Sequence, residues 1–176
     1  MVADPGAAVS AVVAAASVAL QRLSATDWVA MLGALALIRA SSRLGMWTYA
    51  LIALPGTFAH ELAHYLTALL LRAQPSFPSL RPQRSAHGWR LGSVTFRAGM
   101  LRAVPIALAP FLLAPLALAW AIWWMAPASG WPYVAHAWIV AALLSASLPS
   151  SADFRIALPA LLLLAVLAVL AWVAWH

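Results

Sequence analysis

Residues 46–72 read MWTYALIALPGTFAHELAHYLTALLLR, an apolar run closed by Arg72 and broken by one polar cluster. At 1.5 Å per residue such a run is long enough to cross a bilayer as a helix. The cluster is His60-Glu61-Leu62-Ala63-His64, and Glu61 is the only glutamate in the chain. Residues four apart share one face of a helix, so the two imidazoles can grip a single zinc ion while Glu61, beside them, activates water on it. The same period puts Thr57, His60, Glu61, His64 and Thr67 on one face and Phe58, Leu62, Leu66 and Leu69 on the other. Polar atoms should therefore face a bundle and leucines should face lipid. Pro55-Gly56 should interrupt the helix one turn before the cluster, either admitting water or forming a kink packed against neighbours.

Outside this run the composition sets the class. The 176 residues are 65% hydrophobic and only 8% charged, with a mean hydropathy of +0.93. That is too little polar surface for a water-soluble domain of this size. The expected architecture is an all-α integral membrane protein, a single domain over 1–176 with about five or six transmembrane or partly embedded helices. Segments 6–23 and 27–43 read as tilted or partly embedded helices, the second entered through a Ser24/Asp27 capping box. Further apolar segments at 103–126, 134–148 and 156–175 follow. Pro127 to Tyr133 carries turn residues and the aromatics expected at a membrane interface.

The net charge of +6 comes from arginine alone. Arg72, Arg81, Arg84, Arg90, Arg97 and Arg102 cluster between two apolar runs, and the alternation of spans adds Arg22 and Arg155 to the same side, leaving Arg39 and Arg43 opposite. This asymmetry makes 72–102 a cytoplasmic loop of a plasma (inner) membrane, with both termini outside, and explains the basic balance without nucleic acid. Within the loop, residues 74–97 change character: Pro75, Pro78 and Pro82 precede a turn at Ala86-His87-Gly88-Trp89 and a short strand at Arg90–Phe96. The expectation is a β-hairpin at the membrane surface. Met1 to Pro5 lacks a basic segment, so the alanine-rich stretch after it should remain in the mature protein.

A catalytic zinc site normally takes three protein ligands. Without cysteine, and with Glu61 reserved as base, the anionic candidates are Asp4, Asp27 and Asp153. Asp153 is favoured because Pro149 bends the chain just before it, near the inferred depth of His64. Ser150 and Asp153 also match a capping box, a structural role that competes with ligation. His87 reads as a turn residue, His136 as lying near the outer end of its helix, and His176 as terminal.

Together the His60–His64 motif in a membrane helix, the late aspartate in a proline-containing segment and the basic hairpin between them resemble the site-2 protease family of intramembrane zinc metalloproteases. The resemblance covers about 46–155. It implies one zinc ion per chain held by His60, His64 and Asp153, Glu61 as the catalytic glutamate, and a membrane-protein or peptide substrate. The family's Asn-Pro-Asp-Gly type sequence appears here as Pro149-Ser150-Ser151-Ala152-Asp153, without the asparagine and the following glycine. No peptide-binding soluble domain of the kind found in larger members is expected, so substrate selection would rest on the hairpin and the bundle. Strand addition to Arg90–Phe96 would hold an unwound substrate. Membrane proteases that process prenylated proteins share the two-histidine motif but use a second glutamate, which this chain lacks. A metal-binding transporter or non-catalytic membrane subunit is the alternative from a different class.

Overall fold

The computed structural model describes residues 20–85 and 88–175, together with residues 6, 10, 14, 17 and 18. Of the expected 6–23 helix, the described positions up to residue 20 are helical, residues 21–23 form a turn that ends it early, and the other positions lie outside the described residues. Helix α1, Ala25–Ser41, starts at the expected capping box: Ser24 N donates to Asp27 Oδ2 at 2.8 Å and Asp27 N to Ser24 Oγ at 3.2 Å. A 3-10 turn, Ser42–Leu44, and Gly45 at φ 122° lead into α2, Met46–Ile52, and α3, Leu54–Leu70.

The interruption expected at Pro55-Gly56 falls at Ala53 instead. Pro55 occupies the first turn of α3, where its missing N–H would have had no helical partner. Ala53 N still bonds Tyr49 O and Thr57 N bonds Ala53 O, so the ladder continues around the break. Gly56 is a packing residue: a Cβ there would collide with the Ala142 carbonyl of the neighbouring helix. The chain forms the packed kink at Gly56, while Tyr49, Ala53 and Thr57 around the break line a cavity.

α3 ends in a Schellman motif, with Arg72 N bonded to Leu69 O at 3.0 Å, Ala73 N to Ala68 O at 2.8 Å, and Arg72 itself at φ 53°. The following segment returns on itself. Strands β1, Gln83–Ser85, and β2, Gly88–Arg90, pair antiparallel with Gln83 opposite Arg90. The regular strand is thus Gly88–Arg90 and not Arg90–Phe96. Beyond Arg90 the pairing thins to the Ser79↔Ser93 bridge and to single bonds from Ser76 N to Thr95 O and Arg97 N to Ala73 O. Pro75, Pro78 and Pro82 in the facing arm offer no N–H, which breaks a continuous ladder. The expected turn falls partly outside the described residues, at 86–87, while Gly88 and Trp89 belong to β2.

Helix α4, Met100–Leu108, continues through a 3-10 turn, Ala109–Leu112, into α5, Leu113–Trp120, and a π turn, Ala121–Met125. Helices α6, Gly130–Ala146, and α7, Ser151–Trp175, complete the described chain. Both start earlier than their apolar runs: Pro132 fits the first turn of α6, and Ser150 with Asp153 caps α7. The fold is mostly helical with one two-stranded sheet. Met100–Met125 and Ser151–Val173 are long and apolar enough to cross a membrane, and the apolar window of the second is only 11% buried. Met31, Leu113, Ala117, Met125 and Val140 form the core where α1, α5 and α6 meet. α3 packs on α6, and α4 packs on α7.

Candidate metal centre

Two prolines prepare the site. In a regular helix the Ile106 carbonyl would accept from the N–H of residue 110, but Pro110 has none; the oxygen accepts instead from the Ala109 N–H, and its second lone pair accepts from His64 Nδ1 at 2.7 Å. Likewise Ala146 is the last residue of α6, and Pro149 stops the chain from continuing the helix. Its orphan carbonyl accepts from His60 Nδ1 at 2.8 Å. Because a carbonyl oxygen can only accept, each Nδ1 carries the proton, and each neutral ring turns an Nε2 lone pair inward.

Those lone pairs converge. His60 Nε2 and His64 Nε2 lie 3.2 Å apart. Asp153 Oδ2 is 3.5 Å from the first and Asp153 Oδ1 is 3.4 Å from the second. One ligand atom from each residue can be chosen so that all lie within 4.8 Å of one another. Facing acceptors repel unless a cation sits among them; a proton relieves one pair, whereas a single metal ion relieves all three. Tetrahedral ligands at about 2.1 Å from an ion are about 3.4 Å from each other, close to the separation of the two Nε2 atoms and of each from the nearer Asp153 oxygen. His60, His64 and Asp153 can therefore hold a metal ion. The competing role of Asp153 is also present: Ser150 N donates to its Oδ2 at 2.6 Å and Asp153 N to Ser150 Oγ at 3.3 Å. Oδ1 remains outside the cap, so capping and ligation coexist on one carboxylate.

Glu61 is buried beside the cluster, and it accepts no hydrogen bond among the described residues. Its side chain lies against the backbone of Gly92, where an added Cβ would meet Glu61 Cγ and Oε1 at 2.6 Å. A cavity of about 760 Å³ opens over these groups, lined among others by Thr57, His60, Glu61, His64, Gly92 and Asp153. The helix faces divide much as expected: Glu61 and His64 are buried, Phe58, Leu66 and Leu69 exposed, and Leu62 half-buried.

His136 is engaged elsewhere, accepting from Trp120 Nε1 at 3.1 Å, while His87 and His176 lie outside the described residues. Asp27 is held by Ser24 and by the Tyr133 hydroxyl at 3.0 Å, far from any histidine cluster. Sequence reasoning missed Gly92, Pro110 and Ala146. The proline at 110 was a usable signal, since it removes the N–H that a regular helix would aim at the carbonyl four residues earlier. Comparison with family models, curated proteins and solved structures finds no match to this chain.

Proposed function

We propose that this chain is an intramembrane zinc metalloprotease of the site-2 protease kind, hydrolysing a peptide bond in or near a transmembrane segment. The observation that carries the reading is the inward convergence of two oriented Nε2 lone pairs and the Asp153 carboxylate beside a buried, unpartnered Glu61 at the floor of a cavity. Membrane residence is supported by the two long apolar helices and by the leucines that α7 leaves uncovered, among them Leu162, Leu167 and Leu170. We take the remaining helices as spanning or partly embedded, and 72–102 as the cytoplasmic loop of a plasma (inner) membrane.

Zinc, when bound, supplies Lewis acidity that acidifies water and polarises the scissile carbonyl. The chain does the rest. His60 and His64 are held in one tautomer by the Ala146 and Ile106 carbonyls. The Glu61 carboxylate takes a proton from the attacking water, whose oxygen joins the carbonyl carbon. Glu61 then passes that proton to the leaving amide nitrogen as the C–N bond breaks.

A helical substrate hides its carbonyls, so the segment must be held extended. Along 91–97 the backbone of Ser93 and Thr95 bonds the 73–79 arm, whereas Gly92 and Val94 have no backbone partner among the described residues and line the cavity. Strand addition within Arg90–Phe96, at Gly92 and Val94, would lay the substrate over Glu61. The test pairs zinc analysis with cleavage of a membrane-segment peptide by wild type and Glu61→Gln. Zinc in both with cleavage only by wild type is expected. Undiminished function in Glu61→Gln would favour a metal transporter or non-catalytic subunit.

A further inference from the structure

Of the ten arginines, three face the catalytic cavity: Arg84 on β1, Arg90 on β2 and Arg155 on the first turns of α7. All three are exposed, and none is paired with a carboxylate among the described residues. Of the described carboxylates, Asp27 is held by Ser24 and Tyr133, Asp153 by Ser150 and the histidines, and Glu61 meets Arg90 only through its field, so Arg84 and Arg155 keep the larger share of their charge for an occupant. A preference for arginine on one side of a membrane accounts for their depth but not for their gathering at one cavity from two separate elements of the fold. Two come from the hairpin and the third from α7, so an occupant lying in the cavity meets guanidinium groups from both elements.

Resting on the protease reading, we propose that the cavity selects polypeptide segments carrying aspartate or glutamate beside the scissile bond, at the membrane-surface end of the substrate. The guanidinium fork matches a carboxylate in geometry and charge. The same three groups repel lysine and arginine, which ordinarily flank membrane segments on the cytoplasmic side. The rim thus admits an unusual class of segment and turns away the common one, before any side-chain pocket is consulted.

The test uses the full chain carrying Glu61→Gln, loaded with zinc, in nanodiscs of phosphatidylcholine. Three fluorescent peptides share one apolar segment and differ in a flank of aspartates, asparagines or lysines; binding is read by anisotropy. The aspartate peptide should bind about tenfold more tightly than the asparagine peptide, and the lysine peptide more weakly than either. That preference should shrink to about twofold when Arg84, Arg90 and Arg155 are all changed to Gln, and should survive changing Arg97 and Arg102 to Gln. Equal binding of the three peptides, or a preference that persists in the triple variant, overturns the proposal. Loss of the preference when phosphatidylglycerol replaces part of the phosphatidylcholine assigns the rim to lipid headgroups and overturns it as well. A cleavage assay with the Glu61 chain separates the two readings. Cleavage of all three peptides at equal rates removes the selection and leaves hydrolysis standing, whereas charge-selective binding without cleavage supports the rim and removes hydrolysis.

Discussion

Changing Gly92 to alanine probes the least expected contact in the site. The new Cβ would lie 2.6 Å from Glu61 Cγ and Oε1 and 2.9 Å from Cδ. Ordinary contact requires the carboxylate to retreat by about 0.8 Å. The obstacle is a side chain with free torsions and an open cavity beside it, so the retreat should cost about 1 kcal/mol, at the mild end for overpacking. Hydrolysis is less forgiving, because a displacement near 1 Å of a reacting group costs on the order of a hundredfold. Purified Gly92→Ala should keep its zinc, melt close to wild type and show kcat/KM for peptide cleavage reduced about a hundredfold. A double-mutant cycle on stability supplies the control. In a Glu61→Ala background the space is vacated, and Gly92→Ala should then cost nothing. The reasoning is refuted if Gly92→Ala cleaves within about threefold of wild type, or if its destabilisation is the same in both backgrounds.

Purified protein should hold about one zinc per chain, and His60→Ala or His64→Ala should remove most of it, as read by metal analysis. Pro110→Ala restores an N–H that competes for the Ile106 carbonyl, so zinc affinity in a chelator competition should fall about tenfold without loss of the fold. Asp153→Asn should lower zinc content and cleavage together, whereas Ser150→Ala should cost about 1 kcal/mol of helix stability and leave metal stoichiometry intact; the reverse pattern would make Asp153 a cap alone. A lone cysteine placed at Ser85 in this cysteine-free chain should react with an impermeant reagent only from the cytoplasmic side, and labelling of intact cells would invert the topology.

The metal cluster was legible because two constraints act locally or by exhaustion. His60 and His64 share a helical face at any orientation of that helix, and a chain with so few carboxylates leaves little choice for a partner. What orients the imidazoles was not legible. The His64–Ile106 bond joins residues 42 apart, and the His60–Ala146 bond residues 86 apart. Pro110 announces that one i to i−4 donor is missing at Ile106 without saying which side chain will take its place. The Pro55 interruption was misplaced because proline breaks a helix interior but suits a first turn, and the sequence does not mark where α2 ends. The strand expected at Arg90–Phe96 is reduced to one bridge at Ser93, with the regular strand at Gly88–Arg90, because pairing depends equally on the proline-rich arm opposite. Gly92 resembled any loop glycine, and its meaning comes only from the carboxylate against it.

α7 brings the third candidate ligand, yet it packs chiefly on α4 rather than on α3, and its apolar window is only 11% buried. An ion shared by Asp153 and the two histidines would therefore fasten together two helices that otherwise have little hold on each other. At a free metal concentration a thousandfold above the dissociation constant such a fastening adds about 4 kcal/mol. Chelation would leave α7 held by α4 alone and loosen the seam between α3 and α7, where His60, His64 and Asp153 meet. Metal occupancy and the closure of that seam would then be governed by one bond set.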